Sequence, residues 1–188
     1  RPLILKAEPD SRPVSEDLRR MLMELAALTD KLTVEWTPPS DGPERPCVRV
    51  LRADGTDTGI AFHGVPGGHE FNSFVVGLYN AAGPGQSIDP ALAEAIAAID
   101  RPLDLQIVVA LSCTMCPELV IAAQKIAASN PLVTAKVYDV NHFPELRERY
   151  KIMSVPCLII NKAQVAFGKK TLGQLLELLA EPEAGQTG

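Results

Sequence analysis

The stretch LDLQIVVALSCTMCPELVIAAQKIAAS, residues 103–129, decides the fold. Residues 103–111 form a β-rich apolar run of the kind found in a buried strand. Residues 117–128 then place Leu119, Val120, Ala123, Ile126 and Ala127 at helical spacing, and Asn130-Pro131 stops the helix. Between strand and helix stands Cys113-Thr114-Met115-Cys116. In that context a C-x-x-C reads as a redox dithiol.

Working outward, residues 132–140 alternate like a strand and residues 143–150 form a short polar helix. Residues 155–160 (VPCLII) are a buried strand, 164–167 its hairpin partner closed by Gly168, and 172–179 an amphipathic helix. The order of this half is β-α-β-α-β-β-α. The first half follows a similar script. Residues 2–7 are a strand, Ser15 caps a helix running to Leu28, and 32–36 are the next strand. Met21, but not Met23, falls on the apolar stripe of that helix, and Trp36 reads as core. Residues 46–51 (PCVRVL) line up with 156–161 (PCLIIN) at an offset of 110, with 59–63 as hairpin partner and 68–82 as closing helix. Gly83-Pro84-Gly85 marks a break, and 89–99 is a linking helix. Aligned on their first strands, the dithiol of the second half falls near residues 9–11 of the first, where no thiol stands. The expected fold class is therefore α/β, with two fused thioredoxin-like units. Each is a mixed sheet flanked by helices, and the two can join in one continuous sheet. The expected division is a redox-silent unit over 1–85, an active unit over 86–180, and a mobile tail or linker start over 181–188.

Composition narrows the function. The 188 residues carry a net charge of −5 and are 46% hydrophobic, an acidic balance that offers no basic surface for nucleic acid or anionic lipid. Apolar runs of five residues are far too short to span a membrane. No secretory signal pattern opens the chain, and Arg1 in place of Met reads as a trimmed start. A soluble, cytoplasmic protein is expected. Four cysteines (Cys47, Cys113, Cys116, Cys157) are few for a disulfide-stapled secreted fold, and the scattered His63, His69 and His142 supply no close pair for a structural zinc site. No metal ligand set and no cofactor site is expected in this chain. No G-x-G-x-x-G fingerprint occurs either.

A thiolate is the attacking species, and a free cysteine has a pKa near ~8.5. Cys113 is expected just before or at the first turn of a helix, where unpaired N–H groups and the positive end of the dipole favour negative charge. Cys116 is close enough to resolve a mixed disulfide on Cys113, and Pro117 suits a helix start. Val155-Pro156 opens a strand with a residue that cannot donate to the ladder. From the residues alone it is a strand-entry proline; the resemblance to thioredoxin-like folds implies a cis-proline facing the dithiol, beside which an extended substrate can pair. Thr114, Met115, Val155 and Pro156 are thus the candidate substrate-binding residues. Cys47 and Cys157 follow prolines into apolar strands and read as small buried hydrophobes.

Gly68-His69-Glu70-Phe71 with Ser73-Phe74-Val75, then Ser112-Cys113-x-x-Cys116-Pro117, then Val155-Pro156, resembles the N-terminal domain of the F subunit of alkyl hydroperoxide reductase, over nearly the whole chain. That family has two fused thioredoxin-like units of which only the second keeps the C-x-x-C. The intervening pair here is Thr114-Met115, where the family carries His-Asn. The resemblance implies a dithiol carrier that passes electrons from a flavoprotein reductase module to a 2-Cys peroxiredoxin. FAD and NAD(P)H then belong to a module elsewhere, whether this chain is part of a longer flavoprotein or stands alone. It also implies that Glu70, from the silent unit, lies near the thiols and moves the resolving thiol's proton. Read from the residues alone, Glu70 is an ordinary first-turn glutamate favoured by the helix dipole. Two other readings remain. One is a general glutaredoxin-like protein disulfide oxidoreductase, against which the silent first unit counts. The other is a non-catalytic module using the C-x-x-C as half of a zinc or iron–sulfur site.

Overall fold

A computed structural model describes residues 1–182. From residue 183 on, the tail expected over 181–188 lies outside the described residues. The first half contributes β1 (Leu3–Glu8), α1 (Val14–Ala27), β2 (Leu32–Trp36), β3 (Cys47–Arg52), β4 (Asp57–His63) and α2 (Glu70–Ala82). After the linking helix α3 (Pro90–Ala97) come β5 (Leu103–Val109), α4 (Cys116–Ser129), β6 (Val133–Asp139), α5 (Pro144–Tyr150), β7 (Cys157–Ile160), β8 (Gln164–Phe167) and α6 (Leu172–Ala180).

All eight strands form one sheet in the order β2-β1-β3-β4-β6-β5-β7-β8. Each half repeats one pattern. Its first strand lies parallel to its second and antiparallel to its third, and the third and fourth make a hairpin. The halves meet where β4 runs parallel to β6, from Ile60 opposite Ala135 to His63 opposite Tyr138. Two fused thioredoxin-like units in a continuous sheet are therefore what the chain builds.

Alternation along the strands splits the core between the two faces. Leu3, Leu5, Val48, Val50, Ile60, Phe62, Leu105, Ile107, Ala135, Val137, Leu158 and Ile160 belong to a core that also takes in residues of α1, α2, α3, α4 and α6. Val108, Tyr138, Cys157 and Ile159 face the other way and pack with Phe143, Leu146 and Ile152 around α5. α4 lies deepest, with Leu119, Val120, Ala123 and Ile126 fully buried. Each large aliphatic side chain so buried contributes about 1.5–3 kcal/mol, which anchors the helix that starts at the dithiol. The first half has no counterpart of α5. Between β2 and β3 it runs through the irregular segment 37–46.

Several local expectations shift. Ser15 does not cap α1. The helix begins at Val14, and the Ser15 hydroxyl instead donates to Asp10 Oδ1 (2.6 Å) and accepts from the Asp10 amide (2.9 Å). The closing helix of the first half starts at Glu70 rather than Gly68, because Gly68 adopts φ +53° against the Leu111 carbonyl. The linking helix is shorter than 89–99. Asp89 caps it, and the Asn130 amide takes the Ile96 and Ile99 carbonyls at its far end. β7 begins at Cys157, after the Val155–Pro156 bond. Met21 packs against the core and Met23 is half exposed, while Trp36 is only partly buried, with the Arg19 guanidinium 5.2 Å above its ring.

Candidate active site

Cys113 and Cys116 are joined in a disulfide with their Cα atoms 5.6 Å apart. Cys113 stands just before the helix, as expected, and Cys116 opens it. α4 starts at Cys116 itself, and Cys113 lies in the turn before it, its amide bonded to the Ala110 carbonyl (3.0 Å). The bond to the first helical residue holds the Cys113 sulfur at the end of α4 where backbone N–H groups lack intrahelical partners. The two sulfurs are unequal: Cys113 is partly exposed and Cys116 is fully buried. Cys113 is thus open to solvent and Cys116 is not.

The Val155–Pro156 peptide bond is cis, and the Val155 carbonyl oxygen lies 3.9 Å from Cys113 Sγ. Val155 is half-buried and Pro156 buried, whereas Thr114 and Met115 are exposed on the dithiol turn. The four candidate substrate-binding residues thus lie on two segments that meet at the Cys113 sulfur. The first half repeats the device without a C-x-x-C: the Arg45–Pro46 bond is also cis and leads into Cys47, a correspondence visible in the sequence only as the shared Pro-Cys pair.

Glu70 stands at the first residue of α2 and is fully buried. The start of this helix is clamped to the strand that leads to the dithiol. The His69 amide donates to the Leu111 carbonyl (2.9 Å), and a Cβ on Gly68 would come within 2.6 Å of that same oxygen. Farther along, the Gln124 side chain of α4 donates to the Ser73 carbonyl (2.8 Å). One Glu70 carboxylate oxygen, Oε2, accepts from the Ser73 hydroxyl, and Oε1 has no hydrogen-bond partner among the described residues. Burial pushes the carboxyl up to about 7, against the opposing effect of the Ser73 hydrogen bond. A helix N-terminus favours a carboxylate by ~0.3–1 kcal/mol, so desolvation wins. The dipole reading of Glu70 as an ordinary first-turn residue does not describe its setting.

The remaining cysteines are buried, and burial raises Cys47 to about 12 and Cys157 to about 11. Cys47 donates to Glu8 Oε2 (3.3 Å). Neither thiol is set up to ionise. His63 is buried and stacked on Tyr138 with ring centroids 4.1 Å apart, and its Nδ1 lies 2.6 Å from the Glu44 carbonyl oxygen. His69 is exposed at the start of α2. Among the described residues, no group of three or more His, Cys, Asp and Glu side chains comes together as a metal site would require. No described helix is long and apolar enough to cross a membrane. Sequence reasoning singled out Gly68 with His69 and Glu70 but missed its fit to the Leu111 carbonyl.

Comparison with known proteins follows the same lines. A family model described as "Thioredoxin domain" matches residues 103–180. The F subunit of alkyl hydroperoxide reductase from Pseudomonas aeruginosa is 32% identical over 98% of this chain, and a protein named NADH dehydrogenase from Ferdinandcohnia aciditolerans is 31% identical over 98%. The chain spans about a third of the length of these curated relatives, 34% and 35%. The crystal structure of the NTD_N/C domain of alkylhydroperoxide reductase AhpF from Enterococcus faecalis is 38% identical. It superposes with a TM-score of 0.89 over 95% of this chain and 91% of that one. With one sheet, two units, a single dithiol and this match across almost the full length of both chains, the protein belongs to the family of the N-terminal domain of the alkyl hydroperoxide reductase F subunit.

Proposed function

We propose that this chain is a thiol–disulfide oxidoreductase, a dithiol carrier that takes electrons from a flavoprotein reductase module and delivers them to the disulfide of a 2-Cys peroxiredoxin. The observation that carries the reading is the asymmetric disulfide, one sulfur reachable beside the Val155 carbonyl and the other sealed at the first residue of α4. The relatives named as peroxide reductases support the choice of partner. In the forward step the Cys113 thiolate attacks the partner disulfide, and one partner sulfur leaves as a thiolate. Cys116 then attacks Cys113 Sγ, re-forming the internal disulfide and releasing the second partner thiol. Glu70, with a free carboxylate oxygen and a pKa raised to about 7, accepts the proton that Cys116 gives up. Val155, Pro156, Thr114 and Met115 form the edge against which the partner's chain lies.

An upstream dithiol of the flavoprotein module resets the disulfide. FAD and NAD(P)H reside in that module and not in this chain, and a cytoplasmic setting keeps the dithiol turning over. We place the silent unit at 1–85 and the active unit at 86–180. The first builds the wall that carries Glu70.

Trapping tests the proposal. Cys116→Ser cannot resolve a mixed disulfide, so the variant added to native cell extract should hold one covalent partner, a peroxiredoxin. An assortment of unrelated adducts would instead mark a general protein disulfide oxidoreductase. The absence of any adduct, with stoichiometric metal protecting both thiols of the native protein from alkylation, would replace exchange chemistry by a metal-binding role.

A further inference from the structure

In the oxidised protein no cysteine offers a reachable free thiol: Cys113 and Cys116 are bonded to each other, and Cys47 and Cys157 are completely buried. The accessible sulfur of the molecule is then in methionine. Met153 is 92% exposed and Met115 52% exposed. Both stand close to the redox-site residues along the chain. Met115 lies between the two cysteines, and Met153 is two residues ahead of the carbonyl that faces Cys113 Sγ. Phe71, next to Glu70 in the chain, is likewise exposed, at 45%. Thioethers adapt to irregular apolar partners, and oxidation to the sulfoxide turns them polar.

We propose that Met115 and Met153 are a peroxide-modifiable rim of the exchange site, and that their sulfoxides weaken docking of a protein disulfide without disabling the dithiol. The oxidant is a hydroperoxide. Its O–O bond breaks as one oxygen passes to the thioether sulfur, which is oxidised by two electrons. The remaining oxygen keeps its substituent, regains the proton and leaves as alcohol or, from hydrogen peroxide, as water. The effect on function rests on the exchange reading above, whereas the site of oxidation does not.

The test treats the disulfide form of the intact protein with hydrogen peroxide and maps the added oxygen by peptide mass. The protein is then reduced with dithiothreitol, which leaves sulfoxides in place, and its exchange is timed with insulin and with dithiobisnitrobenzoate. Met153 should take oxygen first, Met115 and the half-exposed Met23 next, and Met21 last. Exchange with insulin should slow roughly fivefold, about 1 kcal/mol of lost docking contact, while exchange with the small disulfide holds its rate. The Met115→Leu/Met153→Leu variant, whatever its own starting rate, should lose nothing on peroxide treatment, and Met23→Leu should remain as sensitive as the wild type. Oxidation of Met21 or Met23 ahead of Met153 would overturn the modification site. An unchanged insulin rate with both rim methionines fully oxidised, or an equal loss in the double variant, would overturn its role. Failure of untreated protein to exchange with either disulfide would fall on the proposed function, and the peptide map would still decide where oxygen goes.

Discussion

The two halves of the sheet reach the same corner with different chemistry. After β5 the chain presents Cys113 and Cys116 beside cis-Pro156. After β1, beside cis-Pro46, it presents Asp10, Arg12 and Ser15. Arg12 fills the vacated corner. Its Nε donates to Asp10 Oδ2 (2.6 Å), its terminal nitrogens donate to the Arg45 carbonyl (2.7 Å) and the His142 carbonyl (2.8 Å), and its guanidinium lies 5.6 Å above the Phe143 ring. His142 and Phe143 belong to the other half. The corner that would exchange electrons in one unit thus fastens that unit to its neighbour. The thioredoxin-like frame tolerates either use, since strand order and the Pro-Cys entry are shared and only the turn after the first strand differs.

The contrast between the halves is most exposed to disproof at Glu70, the residue the silent unit places next to the strand leading to the dithiol. Glu70→Gln should slow thiol–disulfide exchange several-fold and remove the limb of the pH–rate profile near 7. The stability effect has a definite sign. Because the folded carboxyl titrates at about 7 instead of its usual 4.5, the native state holds a proton that the unfolded chain has already released. Wild-type stability therefore falls as pH rises from 4.5 to about 7, by up to ~3 kcal/mol. The glutamine variant should lack this slope. Denaturant unfolding at acid and at alkaline pH measures the difference, and a parallel slope in the variant would free Glu70 of the role.

A smaller effect belongs to the vacated corner. Burial alone would raise the Asp10 carboxyl, but hydrogen bonds from Ser15 and Arg12 hold it below the usual range. Arg12→Ala strips a buried acceptor of its charged partner and should cost about 1–3 kcal/mol, with the loss shrinking as acid protonates Asp10. Unfolding curves at neutral and acid pH check this, and exchange rates should change little. The smallest effect belongs to the cysteine that follows cis-Pro46. Cys47→Ala should cost about 1 kcal/mol and leave exchange untouched, as steady-state rates would show. A slowed exchange there would mean the silent half carries chemistry of its own.

What was legible in the sequence follows from how local each cause is. β5 and α4 are written in an apolar run and a helical stripe that need no partner to be recognised. The Pro-Cys pairs at an offset of 110 reveal the duplication because both open a buried strand. Ser15 misled because a serine ahead of a helix looks like a cap, and only the fold brings Asp10 to its hydroxyl. Gly68 looked like helix because its positive φ is required by the Leu111 carbonyl, 43 positions away. Glu70 was ambiguous for the same reason. A first-turn glutamate reads alike whether it faces water or is buried, and its raised pKa exists only once the fold encloses it. The Arg12 contacts left no signal at all.

The most direct test of the oriented dithiol is competitive alkylation of the reduced protein with limiting iodoacetamide, read by peptide mass. Cys113 should be modified first and almost alone at neutral pH, with Cys116, Cys47 and Cys157 protected until the chain is unfolded. Modification of Cys116 ahead of Cys113, or of both at equal rates, would contradict the assignment of attacking and resolving sulfur on which the mechanism stands.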